Sequence, residues 1–599
     1  MYFNCHTCYS FNYGTLTVES LFEEAVRCGV RKLVLTDINS TAAYIELLRI
    51  ANENRSRYDL EVALGVEFRW EGQLLYIALA HNNEGFEEIN RFLSFHNRQK
   101  TPIPVRAPSF NQVSVVYPWS RWKTLDPLAL MDNEYVGIRH TQINQVLTSH
   151  YAGYTDRLVA WEPVTFKSKS DFNVHRLLRA IDKNVLLSRL PVTEQADSDE
   201  VMQPESYWNK WYERYPNVLE NARRLTNSLS IQFTLGTDKN LRTFTGSYGA
   251  DLALLRSKAW EGFCKRYNPD DLAMLERFEK ELSIIFSKRF VSYYLIADEI
   301  VSYARHRNFP YVGRGSGANS MIAYCLRITN VDPVELDLYF ERFLNPERSS
   351  PPDFDIDFSW KDRDEVTSHI FQRFNNDHVA LLGTHTTYKD RSVLRELGKV
   401  FGLPKSEIDA LVENRKKSIR RDHIVDLILK YAERIYSLPS NLSIHAGGVL
   451  ITEKPIYAYT ATDIPPKGFP VVHFEMHNAE DIGIYKFDIL SQRGLGHIKD
   501  TVELVQKNKK EKIDIENFSA FKRDEKIKAL LRKGRTMGCF YVESPAMRML
   551  LAKLECSDYR TLVAASSIIR PGVARSGMMR TFIERHHAVT HGGTYEAIH

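Results

Sequence analysis

No uninterrupted apolar run in this sequence approaches a membrane span, and its first ten residues, MYFNCHTCYS, lack the basic start and long apolar segment of a signal peptide. A membrane-bound or secreted protein is therefore not expected. Cysteine is scarce: seven in 599 residues, an odd number, point to a reducing cytosol and a cytoplasmic location rather than to a disulfide framework. Charge imbalance is also nearly absent. A net charge of +4 is too small to indicate a polyanion partner, so only local basic clusters can argue for one. Internal repeats and low-complexity linkers are missing too. What remains is a chain with 43% hydrophobic and 26% charged residues, long enough to build several cores.

The most informative stretch runs from Tyr311 to Phe358, opening with YVGRGSGANS and closing with NPERSSPPDFDIDF. Gly313, Gly315 and Gly317 surround Arg314 and Ser316 just before the apolar run MIAYCL, so a glycine-rich turn is expected to open a helix. Such a turn suits phosphate, because its backbone N–H groups point outward and missing side chains permit close approach. Further on, Asp353, Asp355 and Asp357 alternate with Phe354, Ile356 and Phe358. That period of two predicts a strand with three carboxylates on one face and three apolar groups on the other. Carboxylates so close repel one another unless divalent cations neutralise them. A phosphate cradle followed by a carboxylate strand reads as metal-dependent phosphoryl chemistry.

Residues 1–185 begin as alternating strands and helices. YFNCH, KLVLTD and EVALGVEF read as strands, with TVESLFEEAVRCG and TAAYIELLRIANEN as intervening helices, the start of an α/β barrel. Chemistry in such barrels sits at the C-terminal strand ends, where Asn4, His6, Asp37 and Glu67 would cluster. The region resembles a PHP (polymerase and histidinol phosphatase) domain, whose metal site starts with an HxH pair. Asn4 stands in place of the first histidine, Ile38 follows Thr36-Asp37 where the family has TDH, and Leu75 replaces a later histidine. The family's ND-x-H-type motif aligns with Glu162-Pro163-Val164-Thr165. Since hydrocarbon cannot bind metal, the resemblance implies a catalytically inactive PHP domain holding no metal. Cys5 and Cys8 form a CxxC, but no second one exists and a regular strand sends the pair to opposite faces, so buried strand cysteines are expected.

The pattern loosens between 186 and 250, where ESYWNKWYERYPNVLENARRL could stack on nucleic acid but is expected to dock between domains. Beyond Asp270, Leu275, Phe278, Leu282 and Ile285 recur at helical spacing and are expected to pack behind the carboxylate sheet. Together, GRGSGANS, FERFLNPER and PDFDIDF resemble the C-family replicative DNA polymerases, the bacterial DNA polymerase III alpha subunits, in both order and spacing. The resemblance implies a beta-like nucleotidyltransferase palm. In it, Gly315 and Ser316 match the Gly-Ser motif that holds the nucleotide triphosphate, and Asp353 and Asp355 match two metal-binding catalytic carboxylates. Asp357 shares their face but is not one of the family's catalytic residues. Arg342 and Arg348 are candidates for phosphate contact, the alternative for each being a solvated or salt-bridged arginine. HAGGVLIT and IGIYKFDILSQRGL resemble two further palm strands, the second bearing the third catalytic aspartate, Asp488. Lys486 is expected on the opposite face of a regular strand, reaching phosphate only through a bend.

The resemblance divides the chain into a PHP-type α/β barrel (1–185), linking helices and the first part of the palm (186–375), a helical thumb (376–440), the second part of the palm (441–499) and the start of helical fingers (500–599), a multidomain α/β and α+β protein. In the thumb, Arg415, Lys416, Lys417, Arg420 and Arg421 would neutralise duplex phosphates without reading sequence, the alternative being a solvated charge run. The fingers begin with TMGCFYVESPAMRMLL, where Tyr541 departs from the family's usual Gln. The rest of the fingers, the helix-hairpin-helix region, the clamp-binding segment and the OB-fold have no counterpart, so a fragment is expected.

The implied activity is template-directed DNA synthesis in replication. Two Mg²⁺ ions about 3.5–4 Å apart on Asp353, Asp355 and Asp488 would promote attack of the primer 3′-OH on the dNTP α-phosphate. Primer-template DNA and dNTPs are the implied partners, joined in a longer chain by a sliding clamp and other replicase subunits. A non-catalytic nucleic-acid-binding or assembly fragment is one alternative, and a PHP phosphoesterase is another.

Overall fold

The computed structural model describes residues 2–348, 350–413, 423–569, 572–573 and 576–590. The chain folds as two compact units, each drawn from two separate stretches: Met1–Thr243 with Ile370–Asp488, and Phe244–His369 with Ile489–His599. The architecture is mixed α/β throughout.

The first unit contains a six-stranded sheet whose strands follow chain order: β1 (Lys32–Leu35), β2 (Glu61–Trp70), β3 (Gln73–Ala80), β4 (Val113–Pro118), β5 (Glu134–Ile138) and β6 (Leu158–Ala160). Parallel pairs at both ends flank the antiparallel pairs β2–β3 and β3–β4. In the N-terminal segment Cys5 bridges in parallel both Leu35 of β1 and Val164, four residues beyond β6. The first helix, Val18–Arg27, shows why the local pattern works: Thr17 accepts a hydrogen bond from the Ser20 N–H, and Val18, Leu21, Phe22 and Ala25 make a buried stripe at spacings of three and four. The aromatic stretch expected to dock between domains instead enters this unit's own core: buried Trp208 donates to the Tyr2 hydroxyl, and buried Tyr212 donates to the Ile138 carbonyl and to Glu162.

A second sheet has seven strands: β7 (Tyr311–Arg314), β8 (Asp355–Ser359), β9 (Val379–Thr387), β10 (Pro439–Ile451), β11 (Thr462–Asp463), β12 (Val471–Val472) and β13 (Lys486–Gln492). Their order is β11-β12-β9-β10-β13-β8-β7. The unit boundary falls inside β13, directly after Asp488. Between β9 and β10 the chain inserts helices Asp390–Phe401, Lys405–Glu413 and His423–Ile435. Their apolar faces, including Leu394, Leu397, Leu411 and Ile428, share a core with Leu177 and Leu178 of helix Asp171–Lys183. Arg415, Lys416, Lys417, Arg420 and Arg421 lie outside the described residues.

In the second unit, helices Tyr248–Arg266, Leu272–Ser287 and Val291–His306 accompany β7 and β8. Phe354, Ile356 and Phe358 are buried, and Phe354 meets the rings of Tyr294 and Phe343 at 5.0 and 5.4 Å, so the apolar half of the alternation faces the helices as expected. A smaller core follows around Met547, Leu550, Leu551 and Leu554. Among the described residues no helix is long and apolar enough to cross a membrane.

Candidate active site

β7 and β8 pair antiparallel with Arg314 opposite Asp355 and Val312 opposite Asp357. The chain leaves β7 through Gly315, whose φ of +74° belongs to the left-handed region, and a Cβ there would sit 2.8 Å from Asp355 Oδ2. Glycine is thus required twice, by the backbone and by the carboxylate it admits. Gly315 and Ser316 are exposed on a short 3-10 turn (Gly315–Asn319) that runs into helix Met321–Cys325, which confirms the expected turn-to-helix junction.

Three carboxylates converge. Oxygens of Asp353, Asp355 and Asp488 lie within 4.8 Å of one another, with Asp353 just ahead of β8, Asp355 at its start and Asp488 on β13. Asp357 is not part of this group. Arg314 donates through Nε to both Asp357 oxygens, at 3.1 and 3.0 Å, and through Nη1 to Asp355 at 3.3 Å. The sequence showed this arginine within the glycine-rich turn but gave it no role, because its carboxylate partners lie 41 and 43 residues further along the chain.

Lys486 is not on the opposite face. Residues two apart on a strand share a side, and the Lys486 ammonium is ion-paired to the Asp488 carboxylate. That pair occupies Asp488 Oδ2 only. Asp488 Oδ1 is buried and meets no hydrogen-bond donor among the described residues. A buried carboxylate oxygen without a donor, grouped with two further carboxylates, fits a hard divalent cation.

Of the other candidate residues, Arg342 is exposed, whereas Arg348 is used within its own loop. Its guanidinium donates to the carbonyls of Phe343 (2.7 Å) and Pro351 (3.0 Å) and to Ser350 Oγ (3.0 Å), bracing the segment that leads to Asp353.

In the first unit, Asn4, His6 and Glu67 do meet. Asn4 Nδ2 donates to Glu67 Oε2 at 2.9 Å, and His6 Nε2 lies 2.9 Å from the same oxygen. Arg69, stacked 4.2 Å above Tyr13, donates from Nε to Glu67 Oε1 at 2.5 Å. Burial alone would raise the Glu67 carboxyl, but Arg69 and His6 outweigh it and hold the group well below the usual carboxylate range. Asp37 accepts from the Thr7 N–H (2.7 Å), the Thr7 hydroxyl (2.7 Å) and Ser10 Oγ (2.6 Å), with burial nevertheless pushing its carboxyl up. Leu75 is buried on β3, and Val164 is the residue that bridges Cys5. The remaining acids are thus served by protein donors, with Arg69 supplying the positive charge.

Three protein-family models match parts of the chain. Residues 3–121 match the PHP domain model, residues 253–491 match the bacterial DNA polymerase III alpha NTPase domain, and residues 494–596 match the bacterial DNA polymerase III alpha subunit finger domain. The chain is 26% identical to an error-prone DNA polymerase of Symbiobacterium thermophilum over 98% of its length and 59% of that protein. It is 28% identical to DNA polymerase III subunit alpha of Bacillus subtilis, over 97% of the chain and 56% of the relative. Against the Escherichia coli DNA polymerase III subunit alpha the identity is 30%, over 72% of the chain and 40% of the relative. The chain therefore spans between 40% and 59% of the length of these relatives. With two models of one family together matching more than half of its residues, the chain belongs to the bacterial DNA polymerase III alpha subunit family.

Proposed function

We propose that this chain carries the nucleotidyl-transfer centre of a template-directed DNA polymerase, with Asp353, Asp355 and Asp488 as its catalytic metal ligands. The observation that carries the reading is their convergence within 4.8 Å, with an unpartnered buried oxygen on Asp488. Mg²⁺, which favours oxygen ligands and substrate phosphates, is the expected ion; when bound it supplies Lewis-acid activation of the primer 3′-hydroxyl and neutralises charge on the α-phosphate. The chain's own residues do the rest. The exposed turn at Gly315-Ser316 offers backbone N–H groups to the triphosphate of a dNTP, close to Asp355. Arg314 and Lys486 lie against Asp355 and Asp488, offsetting carboxylate repulsion and offering donors to an incoming phosphate. The helices between β9 and β10 correspond to a thumb for the primer-template duplex, and residues from about 500 to fingers. The barrel unit, with Arg69 among the former ligand positions, serves as a brace rather than as a phosphoesterase.

Primer extension tests the centre directly. Asp355→Asn should lower extension at least about a hundredfold, since it weakens charge stabilisation in the transition state, while duplex binding stays within a few-fold of the parent. Comparable extension by parent and variant would remove Asp355 from the catalytic set.

A further inference from the structure

Helix Leu272–Ser287 places Arg277 and Glu281 one turn apart on a face otherwise built from Phe278, Leu282 and Ile285. Glu281 is fully buried, an arrangement that is unfavourable unless its oxygens find donors. Among the described residues its donors come from the start of the helix that follows the glycine turn and from Arg277. Ser320 Oγ donates to Glu281 Oε2 at 3.1 Å, the Ile322 N–H donates to the same oxygen at 3.2 Å, and Arg277 Nε donates to Oε1 at 3.2 Å. Arg277 Nη2 in turn donates to the carbonyls of Asn319 (3.2 Å) and Leu338 (2.9 Å). Asn319 completes the turn by donating from Nδ2 to the Ser316 carbonyl at 2.8 Å. The acid and the arginine thereby hold both sides of the Asn319–Ser320 junction, three residues after the proposed triphosphate contact.

We propose that Arg277 and Glu281 form a buried clamp that fixes the 315–320 turn in its nucleotide-binding shape, making both of them positioning residues for the incoming dNTP. The nucleotide half of this proposal rests on the polymerase reading above; the clamp itself rests on the contacts alone. As a carboxylate, Glu281 accepts from every neighbour; once protonated, one oxygen becomes a donor facing other donors, and the grip loosens. Burial pushes this carboxyl up to about 7, against the pull of the Met321 and Ile322 N–H groups and Arg277. The other titratable groups facing the junction are the Tyr294 hydroxyl, 3.3 Å from Ser320 Oγ, and the Cys325 thiol, both raised by burial and so neutral across this range. Clamp strength should therefore fall as pH drops through about 7.

The test uses the whole chain with Glu281→Gln, near-isosteric and neutral, and Arg277→Gln. Hydrogen exchange by mass spectrometry reads the clamp without reference to nucleotide. Amides between Gly315 and Ile322 should exchange about tenfold faster in either variant, as loss of a charge-assisted hydrogen bond implies, while peptides from helix Tyr248–Arg266 keep the parent rate. Equal exchange at Gly315–Ile322, or faster exchange throughout the unit, overturns the clamp. In primer extension with Mg²⁺ and dNTP, KM for dNTP should rise about tenfold in Glu281→Gln with kcat within a few-fold, the mark of lost ground-state positioning. The parent's KM should climb as pH falls from 8 to about 6, whereas the variant's stays flat. Locally faster exchange with an unchanged KM overturns the positioning role. A parent chain that neither binds nor incorporates dNTP, with its exchange pattern normal, overturns the polymerase reading instead.

Discussion

At the scale of single residues, the site depends on a backbone position that strongly favours glycine. Gly315 combines a φ of +74° with a Cβ position 2.8 Å from Asp355 Oδ2. The neighbour is a side-chain oxygen, so Gly315→Ala is expected to cost about 1–3 kcal/mol of local strain and to push the Asp355 carboxylate aside. The variant should melt within a few degrees of the parent yet lose most of its extension activity, and full activity would show that the turn has room the geometry denies. Burial sets a second residue-scale effect in the first unit. His175 accepts from the Ala196 N–H at 2.9 Å, and burial pushes its imidazole down to about 3, with Arg179 and Arg69 adding to the shift against the Tyr13 carbonyl. The folded state therefore binds a proton less readily than the unfolded chain. Its contribution to stability is complete above 6.5 and is lost as pH falls from there toward 3, at up to about 1.4 kcal/mol per pH unit. Urea denaturation at pH 7, 6 and 5 should show His175→Asn with a shallower acid slope than the parent; parallel slopes would mean that His175 titrates alike in both states.

At the scale of elements, what the sequence revealed was whatever repeats along the chain. KLVL and EVALGVEF could be read as strands because their apolar residues run together, and helix Val18–Arg27 because its apolar residues recur at three and four. The Asp353–Phe358 alternation announced a two-faced strand, and Asp488 was reached through the resemblance of its motif. Contacts between distant segments were hidden. Arg314 pairs with Asp357 across 43 residues, and Ser320 meets Glu281 across 39. The meeting of Glu67 with Asn4, His6 and Arg69 needed distant segments to come together, and Arg348 looked like a phosphate ligand because only the folded loop shows where its donors go. The misplacement of Lys486 is of another kind: period two already put it beside Asp488. One element-scale expectation concerns the basic run between Glu413 and His423, which lies outside the described residues. Changing Arg415, Lys416, Lys417, Arg420 and Arg421 to Ala should weaken duplex binding regardless of sequence and reduce the log–log salt slope by up to about 0.9 per lost phosphate contact. An unchanged slope would mark the run as a solvated face.

At the scale of the whole molecule, neither unit is a contiguous piece of chain, and that governs how the protein can be divided. The core of the first unit joins residues of its first stretch such as Tyr44, Phe86 and Leu93 to Leu382, Leu450, Ile456, Val472 and Phe474 from the second stretch. Polar seams run alongside: Tyr44 donates to the Tyr459 carbonyl at 2.6 Å, Asn90 Nδ2 to the Tyr457 carbonyl at 3.0 Å, and the Thr462 N–H to Ser94 Oγ at 2.8 Å. A polypeptide ending at Thr243 would leave that apolar surface in water and strand the buried Tyr44 hydroxyl and Asn90 amide. Losing several large apolar contacts at about 2–5 kcal/mol each is enough to exhaust the roughly 5–15 kcal/mol that holds a domain folded. Residues 1–243 alone should therefore aggregate or bind a hydrophobic dye without a sharp melting transition. Co-expressed with residues 370–488, they should form a soluble complex that melts cooperatively. A sharply melting, monomeric 1–243 would mean that the first stretch closes its own core and that the second stretch only rests on it.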